Sequence, residues 1–125
     1  MIPAAIGLRL LCCQKLGDLA GCRASAEMFE KRKPADAASL YNAACYRAVT
    51  ASLQAKAKDA DAARLAKDDA DRAMAWLTKA VAAGWTNVAL TKKDPDLDFL
   101  REREDFKKLL ADLEKLQAAK PDMKP

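Results

Sequence analysis

Leu40-Tyr41-Asn42-Ala43-Ala44-Cys45-Tyr46-Arg47 carries large side chains at its edges and small ones in its middle. On a helix, Leu40, Ala43, Ala44 and Arg47 share one side at the i, i+3, i+4, i+7 spacing of a packed face. Alanines at the centre of that face let a neighbouring helix approach closely, which stacked helical hairpins require. Tyr41 and Cys45 form an adjacent stripe. The stretch reads as the heart of one helix, capped by Asp36, with further helices stacked before and after it.

Working outward, the 125 residues suffice for one domain with a real core. Aromatics are 6% and charged residues 32%, and β-branched residues are sparse, so the composition favours an all-α chain. Caps and breakers place helices at about 3–15, 19–31, 37–56, 60–83 and 104–119, in a single domain over about 1–119 with a polar tail over 120–125. Pro3 suits a first turn, Gly17 ends the first helix, and Asp18 caps the second. In that second helix Leu19, Cys22, Ala26 and Phe29 make an inward stripe before Pro34 stops the chain. Asp59 or Asp61 can begin the 60–83 helix. Its first half, Ala60 to Asp71, reads as solvated, and its second half holds Ala73, Met74, Trp76, Leu77, Ala80 and Val81 for packing. Gly84 closes it, and Trp85 is expected to fold back onto the core. Thr86 to Lys93 reads as a loop. Asp94-Pro95-Asp96-Leu97-Asp98-Phe99-Leu100 reads as a capped turn or short helix with Pro95 first. The last helix sets Phe106, Leu109, Leu110, Leu113 and Leu116 on one face and charges on the other, the form of a terminal cap.

Charge and chemistry narrow the function. The net charge of +4 comes from 22 basic and 18 acidic residues, largely interleaved, so no strong basic stripe points to nucleic acid. Lys31-Arg32-Lys33 and Lys92-Lys93 sit at expected helix ends, where they complement the macrodipole. Met1 to Leu11 is apolar, but no basic region precedes it, Arg9 interrupts it, and it is too short to span a bilayer. An amphipathic first helix, a cytoplasmic location and no membrane partner are expected. The four cysteines, Cys12, Cys13, Cys22 and Cys45, form no C-x-x-C pair, and the chain has no histidine. They read as core filler in a reducing compartment. A lowered-pKa thiolate at Cys12-Cys13, beside Arg9 and Lys15, is the competing reading. The carboxylates of Asp68, Asp69 and Asp71, and of Asp94, Asp96 and Asp98, invite a metal. A calcium loop, however, needs a central glycine and a closing glutamate, so helix capping is expected instead. With no nucleophile, base and orienting group in view, no enzyme, no cofactor and no metal are expected.

A repeat then emerges. Cys22, Ala26 and Phe29, within Gly17 to Phe29, have the same offsets as Ala73, Leu77 and Ala80, within Asp71 to Val81. This resembles the small, large, small pattern in the second helix of a tetratricopeptide repeat. Gly17-Asp18 resembles its inter-helix turn, Pro34 its closing proline, and Leu40-Tyr41-Asn42 the start of its first helix. Leu40 replaces the usual tryptophan, Ala44 the usual glycine, and the turn after 37–56 is lengthened. Leu40 to Cys45, Ala80 to Trp85 and Asp94 to Leu100 with Phe106 and Leu109-Leu110 also resemble the C-terminal repeat region of large bacterial serine/threonine protein kinases, especially of planctomycete type. No glycine-rich phosphate loop, H-R-D or D-F-G is present. The resemblance implies tetratricopeptide-like stacked hairpins of about four helices with a capping helix. It implies a docking module for a protein or peptide partner, laid along a concave face. By the repeat's offsets that face would present Gly7, Leu11, Gln14 and Lys15, joined by Tyr41, Asn42, Cys45 and Val49. Asn42 aligns with an asparagine that clamps a peptide carboxylate in some such repeats, although Ala38 stands where the clamp's lysine is expected. Two alternatives accompany it: Tyr41 and Asn42 merely packing and capping locally, or a structural cap that self-associates through the apolar 3–15 helix.

Overall fold

The chain is known from a computed structural model, which describes residues 18–58 and 60–119. Among them are five α-helices, one 3₁₀ helix and no strand, so the expected all-α class is what is observed. Helix α1 spans Leu19–Glu30, α2 Ala37–Ala55, α3 Ala62–Ala82, α4 Val88–Lys93 and α5 Glu104–Ala119, with the 3₁₀ helix Pro95–Leu100 between α4 and α5. The expected 3–15 helix, Cys12-Cys13, Asp59 and the 120–125 tail lie outside the described residues.

Helix α2 is the centre. Its start is set by Asp36, whose side chain accepts the Ser39 N–H at 3.1 Å. It packs against α1, against α3 and against the 3₁₀ helix. Of its 19 residues 13 are buried, so it is covered nearly all round rather than along one stripe. Ala44, Ala48 and Ala51 meet Ala70, Ala73 and Ala80 of α3, with Leu40, Leu77, Leu97, Leu100 and Phe106 filling the larger spaces. On the opposite side Ala43, Tyr46 and Val49 meet Cys22, Ala26 and Phe29 of α1. The two matching stripes, Cys22, Ala26, Phe29 and Ala73, Leu77, Ala80, are therefore both buried against the same central helix.

Local chemistry explains the ends. Asp18 accepts the Gly21 N–H at 3.0 Å to open α1. At the end of α3, Gly84 has φ +110°, the Trp85 N–H reaches the Ala80 carbonyl and the Gly84 N–H reaches that of Val81. This Schellman closure needs a residue free to adopt positive φ. It turns Trp85 back onto the core, where its ring stacks on Tyr41 at 4.0 Å.

Four details depart from expectation. The segment expected as a loop over 86–93 contains α4, because Asn87 caps it through the Leu90 N–H at 3.0 Å and buried Val88 and Thr91 anchor it. Asp61 stands at the start of α3 without capping it, and pairs with Arg64 instead. The first half of α3 is not simply solvated, since Ala66, Asp69 and Ala70 are buried. On α5, Phe106 and Leu113 are buried but Leu116 remains 45% exposed, beyond the reach of the core. Among the described residues no helix is long and apolar enough to cross a membrane.

Candidate functional site

The residues expected to face a ligand fall into two sets. Gly7, Leu11, Gln14 and Lys15 lie outside the described residues. Tyr41, Asn42, Cys45 and Val49 all lie on α2, but three of them are filled in by the chain itself. Tyr41, Cys45 and Val49 are 3%, 4% and 2% exposed, and only Asn42 keeps appreciable surface. The reason is the all-round burial of α2: Val49 packs with Phe29 and Tyr46, while Tyr41 is covered by Trp85. Of the two readings of Tyr41, local packing is the one its surroundings favour.

What the structure assembles at Tyr41 is a polar junction. Asp94, extended ahead of Pro95, caps the 3₁₀ helix through its Oδ1 and the Asp96 N–H at 3.0 Å. This is the capping expected of the acidic run. Its Oδ2 accepts the Tyr41 hydroxyl at 2.7 Å and the Cys45 thiol at 3.7 Å. Trp85 is held beside them by its Nε1–H, donated to the Thr91 hydroxyl at 3.0 Å, which in turn donates to the Asn87 carbonyl at 2.8 Å. Arg101 spans the same turn, donating to the Asp94 main-chain carbonyl at 2.6 Å and to the Asp98 carboxylate at 2.9 Å.

The electrostatics of the junction are lopsided. Burial, together with the charges of Asp94 and Asp98, pushes the Asp96 carboxyl up to about 6. Burial, then the charges of Asp94 and Asp96, push the Cys45 thiol well up, so it is a thiol and not a thiolate at neutral pH. Burial, then the neighbouring Cys45 and the hydrogen bond to Asp94, push up the Tyr41 hydroxyl. Sequence spacing gives no hint that Cys45 lies over Asp94 and Asp96. The three ligating atoms nonetheless come within 4.8 Å of one another.

A second polar cluster lies on the opposite side of α2. Arg23 grips Asp69 with two hydrogen bonds, at 2.8 and 2.7 Å, and donates to Gln54 at 2.8 Å. Arg47 grips Glu30 with two more, at 2.7 and 2.9 Å, and reaches Asp69 at 3.1 Å. The Trp76 Nε1–H completes the chain to Glu30 at 2.9 Å. Burial works against the Glu30 carboxylate, but the hydrogen bonds and charge of Arg47 outweigh it and hold its pKa below the usual value. Two cations and two anions are matched, and the cluster ties α1, α2 and α3 together.

On the surface, α3 and α5 flank an open groove of about 690 Å³. Met74, Ala75, Val81 and Leu109 line it with apolar side chains, and Lys108 and Asp112, paired at 3.1 Å, line it with charged ones. Arg103 also lines it, paired with Asp71 at 2.8 Å and Asp105 at 2.9 Å. Comparison with known protein families, with curated proteins and with solved structures finds no match to this chain.

Proposed function

We propose that this chain is a non-catalytic protein-interaction module, the C-terminal part of a bacterial signalling kinase or a relative of such a region. The groove between α3 and α5 is the observation that carries the interaction reading. It is open and lined by apolar side chains together with charges of both signs, which suits an amphipathic helical segment of another protein. Of the residues expected to bind on α2, Tyr41, Cys45 and Val49 are occupied by Trp85, Asp94 and Phe29, and Asn42 keeps some surface. The docking surface is therefore moved to α3 and α5.

A photo-crosslinking side chain at Ala75, exposed in the groove, should trap one defined protein in the native cells, and Lys108→Glu on the facing helix should reduce that adduct. Adducts identical to those from a probe at exposed Ala60 would sink the docking role. The signalling assignment rests on the resemblance described above. An upstream reading frame encoding a kinase domain supports it, and an in-frame stop before Met1 with no such domain removes it.

A further inference from the structure

Basic side chains gather where α1 ends beside α3. Lys31, Arg32 and Lys33 follow Glu30, and Glu30 accepts the Trp76 Nε1–H at 2.9 Å, which sets the end of α1 against the middle of α3. Arg72, Trp76 and Lys79 recur at four- and three-residue spacing, so they share one side of α3. Lys31, Arg32, Lys33, Arg72 and Lys79 are all exposed. Among the described residues none of them has an ion-pair partner. Elsewhere on the surface Arg64, Lys67, Arg103, Lys107 and Lys108 all have one. The acids nearby are already engaged: Glu30 by Arg47, Asp68 by Arg64, and Asp71 by Lys67 and Arg103. On α1, Glu27 is left to oppose the excess.

The backbone gives a second observation at the same place. Lys33 has φ +54°, and among the described residues no other non-glycine residue has a positive φ. A side chain is strained in that left-handed conformation, where glycine is favoured, and Pro34 steers the residue before it toward extended backbone. The macrodipole accounts for basic residues in the last turn of a helix. It accounts neither for Arg72 in the middle of α3 nor for a lysine where glycine costs less. Charge is held at Lys33 against the backbone, a form of strain that gathers at working surfaces.

We propose that this face, the end of α1 with the Arg72–Lys79 side of α3, binds an acidic peptide segment of a partner protein. The guanidiniums of Arg32 and Arg72 offer planar forks to carboxylates, and Lys31, Lys33 and Lys79 add less directional charge. Trp76 decides for peptide over nucleic acid. Lys79 Nζ lies 5.0 Å from its ring centroid, both core clusters pack against it, and its Nε1–H is spent on Glu30. The ring is therefore not free to stack on a base, as single-stranded nucleic acid requires of a binding surface. The α3–α5 groove lies on the next side of α3, and the inference stands whether or not that groove is filled.

The test measures fluorescence anisotropy of a labelled Glu/Ser peptide, its Gln/Ser counterpart and oligouridylate with the full chain at low salt. The Glu/Ser peptide should bind, the Gln/Ser peptide should not, and added salt should weaken the complex. Arg72→Gln/Lys79→Gln should lower the affinity by about fivefold or more. Lys107→Gln/Lys115→Gln, which removes the same charge from α5, should leave it unchanged. Lys33→Gly should separate binding from stability: it should raise the melting temperature by relieving the backbone and lower the affinity by about twofold or more. The site is overturned if the Glu/Ser peptide does not bind, or if the α5 pair costs as much affinity as the α3 pair. It is likewise overturned if Lys33→Gly binds as tightly as the parent, or if oligouridylate binds more tightly than the peptide.

Discussion

On the side of α2 that faces α1 and α3, two carboxylates meet two guanidiniums. On the side that faces Trp85 and the 3₁₀ helix, two carboxylates meet a hydroxyl, a thiol and an amide. Both sides are built from one helix, and both bury polar groups beside apolar layers. The difference lies in charge balance. Glu30, Asp69, Arg23 and Arg47 sum to zero within hydrogen-bond distance, so their desolvation is offset by mutual attraction and every group is partnered. Such a cluster is weak evidence of net stability, yet losing one member strands the rest. Among the described residues Asp94 and Asp96 have hydrogen bonds for one carboxylate and a direct ion pair for neither, the nearby Arg101 donating to the Asp94 main-chain carbonyl and to Asp98. Cost remains on that side, where burial and acidic neighbours hold the Asp96 carboxyl up. One side of the helix is balanced in charge, and the other is sensitive to pH through Asp96.

The largest effect should come from breaking the balanced side. Arg47→Met leaves Glu30 and Asp69 buried with less compensation and should cost about 3–5 kcal/mol of unfolding free energy in urea titration. A loss under about 1 kcal/mol would mean that the cluster is not a unit. On the unbalanced side, Asp94→Ala removes the 3₁₀ cap and the acceptor of the Tyr41 hydroxyl, for an expected loss of about 2 kcal/mol. Tyr41→Phe should reproduce only the hydroxyl part, about 1 kcal/mol.

Asp96→Asn sharpens the comparison through pH. Because the folded-state pKa lies above the ordinary 3.8, at about 6, the native state prefers the protonated acid. Stability from that preference is complete below about pH 4 and is lost as pH rises through 6. The shift corresponds at face value to about 3 kcal/mol, and partial exposure to solvent cuts it to about 1 kcal/mol. Asp96→Asn should therefore be more stable than the parent by about that much at pH 8 and equal to it at pH 4. A pH-independent difference would show that Asp96 is not held against its charge. The smallest effect belongs to the surface. Arg64, whose side chain is 63% exposed, pairs with Asp61 and Asp68, and Arg64→Ala should change stability by less than about 0.5 kcal/mol.

Much of the fold was legible because its signals are local. Asp18, Asp36 and Gly84 act within one turn of themselves, and the stripes of α1, α2 and the second half of α3 follow helical periodicity. Helix α4 was not legible, since Val88–Lys93 is short and its cap, Asn87, looks like any loop asparagine. Asp69 was hidden within a run of Lys, Asp and Arg that looks solvated throughout. Its partners lie 46 and 22 residues away, at Arg23 and Arg47. One clue existed: Arg47 falls on the packed face of α2 among alanines, and a cation there demands a buried anion. At the other junction, Cys45 and Asp94 are 49 residues apart, and no spacing rule joins them.

By itself the sequence determined that these segments are helices, where most of them start and stop, and which stripes turn inward. Those properties depend on neighbours within about four residues, as backbone hydrogen bonds and side-chain periodicity do. Only the tertiary structure decided that α2 is enclosed on all sides, because enclosure depends on how many helices meet one helix. It also decided the fate of Leu40 to Arg47. Leu40, Ala43 and Ala44 pack as their spacing demands, Arg47 is neutralised by Glu30 and Asp69, and Tyr41 and Cys45 turn to Asp94. Electrostatic pairing acts through space, so the chemistry of that stretch belongs to residues that the chain brings to it from far along its length.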